Sequence, residues 1–224
     1  MANNSQLLES FTFIHPCACL IAGPSQSGKT TIIKKILFDS KIIQPSPTKI
    51  IYCFSIWQTA YDEIIQHFTK LYKNIEFFKG LPEIEKFDRN ENNLLILDDL
   101  MLECANDKNI LNIFTRDSHH LNISVFILSQ NIFPKEKYAR SISLNCQYMI
   151  LTNSPRDRRQ IEVLARQIMP TGSNFILEAY VDAISTINYG YILLDLHQKT
   201  NDINRVQTGV FINEERIIYR KIEK

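Results

Sequence analysis

The chain has 224 residues, is 45% hydrophobic and carries a formal net charge of +1. That is enough apolar content for one substantial core, and the charge is too balanced for a histone-like coat on nucleic acid, so any DNA contact must be local. No apolar run approaches the roughly 18 residues of a membrane span and the amino end lacks a signal core, so a soluble, intracellular protein without membrane contact is expected. The five cysteines, Cys17, Cys19, Cys53, Cys104 and Cys146, are scattered and read as reduced core residues.

A single domain over 1–224 is expected, with 1–12 a flexible or edge extension. The run Ala18-Cys19-Leu20-Ile21-Ala22 predicts a buried strand, and Thr31-Ile32-Ile33-Lys34-Lys35-Ile36-Leu37 predicts a helix. Between them, Gly23-Pro24-Ser25-Gln26-Ser27-Gly28-Lys29-Thr30 satisfies every fixed position of G-x-x-x-x-G-K-[ST]. In that strand-to-helix setting the pattern is a phosphate-binding loop. Gly23 and Gly28 permit the turns that aim consecutive N–H groups inward, and the helix adds its positive end. Lys29 is placed to bridge the β- and γ-phosphates and the Thr30 hydroxyl to ligate Mg²⁺; Ser27 and Thr31 are small polar fillers. An NTP is the expected ligand, for an unstated purpose.

Further along, 44–48 is a Pro/Ser connector, 49–54 a buried strand, 61–72 an amphipathic helix, 75–78 a short strand and 88–93 a solvated turn. Leu94-Leu95-Ile96-Leu97-Asp98-Asp99 then reads as a strand buried on both faces with two carboxylates at its carboxyl end, where open α/β sheets place their ligands. This is a Walker B pattern. Asp98 is assigned to Mg²⁺ and Asp99 to orienting or deprotonating the attacking water. The bland alternative is a helix-capping Asp after a core strand. A helix over 105–116 and a strand over 123–128 follow. If that strand neighbours the carboxylate strand, Gln130 lies beside Asp98-Asp99 as a γ-phosphate sensor or water-positioning group; otherwise Ser129 and Gln130 begin a loop. Residues 147–152 form a fifth strand. Ser154 is the expected cap and Pro155 the first residue of a helix carrying Arg156, Arg158, Arg159 and Arg166. A helix over 173–183, strands over 190–196 and 206–211 and a short tail over 214–224 complete the reading.

The order of elements, with Phe114-Thr115-Arg116-Asp117-Ser118-His119-His120, Ile127-Leu128-Ser129-Gln130-Asn131-Ile132-Phe133, Leu151-Thr152-Asn153-Ser154-Pro155-Arg156-Asp157 and Tyr189-Gly190-Tyr191-Ile192-Leu193-Leu194-Asp195, resembles the genome-packaging ATPases of the FtsK/HerA superfamily, poxvirus-type branch, of large DNA viruses, virophages and Polinton/Maverick and adintovirus elements. The fold this implies is an α/β P-loop NTPase of the RecA-like, additional-strand type: a mostly parallel central sheet flanked by helices, with late strands added at the C-terminal end. The activity it implies is ATP hydrolysis, with Mg²⁺, coupled to moving double-stranded viral DNA into a preformed capsid. The implied partners are the genome, a capsid or portal vertex and further copies of the chain in a ring of five or six, at sites of virion assembly in the host cytoplasm or nucleus or in the virion.

By that resemblance Lys29, Thr30, Asp98, Asp99 and Gln130 hold motif positions. The superfamily's usual Asp-Glu is here Asp98-Asp99, which leaves the second role less secure. Ring ATPases complete the site with an arginine from the neighbouring subunit, for which Arg116 is the first candidate and Arg140 and Arg156 are alternatives. Lys135, Lys137, Arg140, Arg158 and Arg159 are candidate DNA contacts, and each is also readable as solvated charge. Two other functions fit the same motifs: a nucleotide kinase with Arg156-Asp157-Arg158-Arg159 in a phosphate-clamping lid, and a nonhydrolytic ATP-binding capsid assembly factor.

Overall fold

A computed structural model describes residues 10–71, 74–186 and 189–221. Residues 1–9 of the expected extension, Tyr72 at the end of the second expected helix, the side chain of His119 and residues 222–224 of the tail lie outside what it describes. Phe11, within the expected extension, is buried against the rings of Phe13 and Tyr148.

The first elements are β1 (Phe13–Ile14), β2 (Ala18–Ala22), α1 (Lys29–Phe38), β3 (Ile43–Gln44), β4 (Lys49–Phe54), α2 (Ala60–Lys70), β5 (Ile75–Lys79) and β6 (Asn93–Asp98). They are followed by α3 (Met101–Cys104), α4 (Lys108–Asn112), α5 (Ser118–His120), β7 (Ile123–Ser129), α6 (Ala139–Leu144), β8 (Tyr148–Thr152), α7 (Arg158–Ile168), α8 (Ser173–Thr186), β9 (Tyr191–Asp195), β10 (Val206–Thr208) and β11 (Ile217–Tyr219). Nine strands form one sheet in the order β11-β10-β9-β8-β2-β7-β6-β4-β5. From β8 to β5 every pairing is parallel, and β9, β10 and β11 add on antiparallel. The phosphate-loop strand β2 is therefore central, and β7 separates it from the carboxylate strand β6.

Side chains alternate across each strand, and here they feed two cores. Cys19 and Ile21 of β2, Leu94 and Ile96 of β6 and Tyr52 of β4 pack with Ile32, Ile33, Ile36, Tyr61, Ile64 and Phe68 from α1 and α2. Ala18, Leu20, Leu95 and Leu97 face the opposite layer, which includes Ile110, Ile161, Leu164 and Tyr180. This two-sided burial explains why the parallel strands are near-continuous apolar runs. All five cysteines are buried and free.

Three expectations are corrected. The helix expected over 105–116 starts three residues later, at Lys108, because Asp107 accepts from the N–H groups of Asn109 and Ile110 and caps α4, and 113–117 form a π-helical turn. The helix placed at Ser154-Pro155 begins at Arg158, capped by Asp157 through Gln160 N–H; the Ser154 N–H is spent on the Tyr180 hydroxyl. The late strand over 206–211 ends at Thr208, and the tail contains β11, whose fold-back is anchored by Glu214, which accepts from Tyr191 and pairs with Lys35.

Where β2 enters the sheet, buried His15 places Nδ1 at 2.6 Å from Ser124 Oγ and Nε2 at 3.0 Å from Asn122 Oδ1. Both Asn122 Nδ2 hydrogens are committed to Glu91 O and Asn92 Oδ1, so Oδ1 accepts and His15 carries a proton on Nε2. Burial holds its pKa below the usual value, against the Asn122 bond that raises it. A depressed folded-state pKa means the unfolded chain binds the proton first, so stability falls with pH below about 6.5 at up to roughly 1.4 kcal/mol per pH unit. Thermal melting between pH 7.5 and 5.5 is expected to show a drop that His15→Gln makes shallower; equal slopes would exclude His15 as its source.

Candidate nucleotide site

The residues between β2 and α1 turn through two left-handed positions, Gln26 at φ 63° and Gly28 at φ 96°, which bring successive N–H groups to one side. Helix α1 starts at Lys29 with no side chain capping it and no acidic residue in its first turn. Its first donors are thus left for an anion. Lys29 Nζ donates to Gly23 O at 2.6 Å and Pro24 O at 2.8 Å, bracing the loop from within. Burial lowers the Lys29 pKa, while Asp98 and Asp99 raise it. Gly23 is fixed by close approach: a Cβ there would lie 1.8 Å from Thr152 Oγ1, whose hydroxyl bonds Ser27 Oγ at 2.6 Å and reaches Ala22 O at 3.3 Å.

Asp98 belongs to the even-numbered row of β6 and so turns toward α1 and α2, where it is 3% exposed. Its Oδ2 accepts from the Tyr52 hydroxyl at 2.7 Å and the Tyr61 hydroxyl at 2.9 Å. Burial pushes its pKa up; the two tyrosines and, more weakly, Lys29 pull it back, while Asp99 adds to the rise. The next residue, Asp99, adopts φ 56°, a left-handed turn that Asp tolerates better than most side chains. Gln130 Nε2 donates to Asp99 Oδ1 at 3.2 Å. The expected neighbouring of β6 and β7 is observed, with Asp98 opposite Leu128, and Ser129 forms a turn through Asn131 that carries Gln130 over the strand end.

These groups line one cleft of about 550 Å³, formed by Ser25, Gln26, Gly28, Lys29, Thr30 and Thr31 with Gln58, Asp98, Asp99, Gln130 and Tyr189. Of the residues read from sequence, the cleft collects Ser25, Gln26, Gly28, Lys29, Thr30, Thr31, Asp98, Asp99 and Gln130. Pro24 and Ser27 shape the loop from behind, and Gly23 meets β8. Arg116 is elsewhere: it lies in the turn leading to the amino end of β7, exposed and paired with Asp117 at 2.7 Å. Arg156 is exposed just beyond the carboxyl end of β8, and Lys135, Lys137, Arg140, Arg158 and Arg159 are exposed on the segments following β7 and β8. Those two segments are tied together by Ile132 N–H on Gln160 Oε1 at 2.8 Å.

Sequence reasoning missed several members. Gln58, whose Oε1 lies 3.4 Å from Thr30 Oγ1, comes from a loop without a motif, and Tyr189, packed against Gly28, opens a segment that carried the resemblance but was given no role in the site. Tyr52 and Tyr61 sit in runs legible only as apolar. Hard oxygen donors from Thr30 and Asp98 opening into one cleft suit Mg²⁺.

The strand order, with β7 inserted between the phosphate-loop strand and the carboxylate strand, defines a P-loop NTPase fold of the additional-strand type. The particular likenesses are to genome packaging NTPase structures. B204, the DNA-packaging ATPase from Sulfolobus turreted icosahedral virus, matches at TM-score 0.52 and 14% identity, covering 93% of this chain and 100% of that one. B204 from Sulfolobus turreted icosahedral virus 2 in complex with AMPPCP matches at TM-score 0.53 and 12% identity over 86% and 96% of the two chains, and its complex with ATP-gammaS at 0.51 and 13% over the same shares. At the level of fold this bears out the resemblance read from sequence. No family model and no curated protein matches the chain.

Gly23→Ala is expected to destabilise the fold by about 1–3 kcal/mol through overpacking against Thr152, and Thr152→Ala in that background to recover part of the loss, measured by denaturant unfolding. Additive effects of the two changes would refute the clash.

Proposed function

We propose that the chain is an ATPase motor that packages double-stranded DNA into a viral capsid, working as a ring of like subunits. The carrying observation is the Gln130–Asp99 hydrogen bond at the cleft: a polar group from the inserted strand sits on the second Walker B carboxylate. That pairing suits orientation of a water for attack on a γ-phosphate. The likeness of fold to B204 over nearly all of both chains supports the same reading.

In this reading the loop N–H groups, the α1 terminus and Lys29 hold the phosphates, and Thr30 and Asp98 hold Mg²⁺. The metal, when bound, neutralises charge developing on the phosphoryl oxygens. Asp99 accepts the proton of the attacking water, and Gln130 fixes the carboxylate and that water. The arginine of the transition state comes from a neighbouring subunit. Arg116, exposed and outside its own chain's cleft, fits a role in trans, with Arg140 and Arg156 as the other candidates. Lys135, Lys137, Arg140, Arg158 and Arg159 form the candidate DNA-facing set, supported by their exposure on two linked segments.

Duplex DNA is expected to stimulate ATP hydrolysis. Transfer of phosphate to a nucleotide acceptor would instead establish a kinase, and nucleotide binding without turnover an assembly factor. Asp99→Asn, which keeps a side chain suited to φ 56°, and Gln130→Ala are expected to lower kcat by roughly 10²–10³-fold with nucleotide affinity retained, whereas Lys29→Ala loses affinity. Arg116→Ala is expected to be inactive alone and to regain activity when mixed with Lys29→Ala subunits, since the mixed interface restores one complete site. Failure to complement would move the trans role to another arginine.

A further inference from the structure

The Asp98 carboxylate is asymmetric. Both hydroxyls that reach it, from Tyr52 on β4 and Tyr61 on α2, converge on Oδ2, and among the described residues no hydrogen bond goes to Oδ1. The residue nevertheless lines the nucleotide cleft. A buried carboxylate held by a single hydrogen bond swings about its terminal torsion, which is broad and two-fold. Two donors approaching one oxygen from different elements remove that freedom and leave the other oxygen aimed outward.

The donors are themselves immobile. Tyr52 and Tyr61 are fully buried, their rings lie 4.9 Å apart, and Phe77 packs on both, at 5.0 Å from Tyr52 and 5.7 Å from Tyr61. Tyr61 is further held by Phe54 at 5.6 Å and by Trp57, the single tryptophan of the chain, at 5.4 Å. Neither hydroxyl is needed to fill the core, since a phenyl ring of the same shape would satisfy the packing. Their polar atoms serve Asp98.

We propose that Tyr52 and Tyr61 are positioning residues that lock Asp98 through Oδ2 so that Oδ1 alone is presented to the hydration shell of the nucleotide-bound divalent cation. This rests on the reading of the cleft as a Mg²⁺-nucleotide site. The stretch from Gln58 into the first turn of α2 serves both metal-side groups: Tyr61 holds Asp98, and Gln58, three residues earlier, lies at 3.4 Å from the Thr30 hydroxyl. The two oxygen donors are thereby spaced by one short stretch of backbone.

The test is Tyr52→Phe, Tyr61→Phe and the double variant, with binding of a fluorescent ATPγS titrated against Mg²⁺ and Trp57 emission and thermal melting as checks on the fold. Binding in EDTA is expected to match wild type, because Lys29 and the loop are untouched. The Mg²⁺ concentration for half-maximal enhancement is expected to rise several-fold in each single variant and at least tenfold in the double one. It should rise in parallel in steady-state turnover, with the nucleotide KM at saturating Mg²⁺ little changed. Mg²⁺ midpoints within twofold of wild type in a folded double variant would overturn the proposal and make the hydroxyls purely structural. Wild-type binding indifferent to Mg²⁺ would overturn it together with the metal-site reading; the two failures differ in whether the wild-type protein itself responds to the cation. A double variant that does not fold leaves the single variants to decide by the same criterion.

Discussion

The site depends on keeping one charged carboxylate almost out of water. Asp98 follows four buried aliphatic residues of its strand, and an ionised group there carries a desolvation penalty that hydrogen bonds and, more weakly, Lys29 offset. A bond to a charged acceptor contributes about 1.5–3 kcal/mol, so the two tyrosine hydroxyls are of the size needed to keep the anion in place. Much of the surrounding architecture is arranged to deliver them: β4 must pair with β6 in register, with Phe54 opposite Asp98, and α2 must lie on the face that receives even-numbered residues. The aromatic cluster of Tyr52, Phe54, Trp57, Tyr61 and Phe77 is the packing that holds those hydroxyls still.

From that anchored residue the chain reverses at once. Asp99 occupies a left-handed conformation, one that Asp and Asn tolerate and longer side chains adopt with more strain. The short side chain is matched to the backbone turn that carries it. Gln130 then approaches from the adjacent strand and bonds the carboxylate directly. Strand order, backbone conformation and side-chain length are three answers to the same requirement, a carboxylate aimed into the cleft.

The parts legible in the sequence are those whose chemistry is local. The phosphate loop is contiguous, so eight residues between a strand and a helix carried it. The parallel sheet was readable because strands buried on both faces are unbroken apolar runs, and the placement of Gln130 followed once neighbouring strands were assumed. What escaped is non-local or chemically ambiguous. Tyr52 inside Ile50-Ile51-Tyr52-Cys53 looks like core filling, and its hydroxyl acquires meaning only through a residue 46 positions away. Gln58 reaches the cleft from a loop with no pattern, and Tyr189, though it opens a recognisable segment, carries no chemistry that marks it as a neighbour of Gly28. The helix after the carboxylates was read from residue 105, whereas a short helix, α3, precedes it and the Asp107 cap sets its start at Lys108. Strand β11 was missed because a three-residue edge strand leaves almost no periodicity.

Among the described residues Lys29 is the only cation that lines the cleft, and its ammonium rests on two carbonyls of its own loop. Those bonds take two of its three donors and run to the backbone whose curvature defines the cradle. One nitrogen therefore has two tasks: it ties the turn at Gly23 and Pro24 back to the start of α1, and it sets a positive charge at the wall of the cleft. A substitution at Lys29 removes a brace together with a charge, so the shape of the cradle and its attraction for an anion are bound to the same side chain.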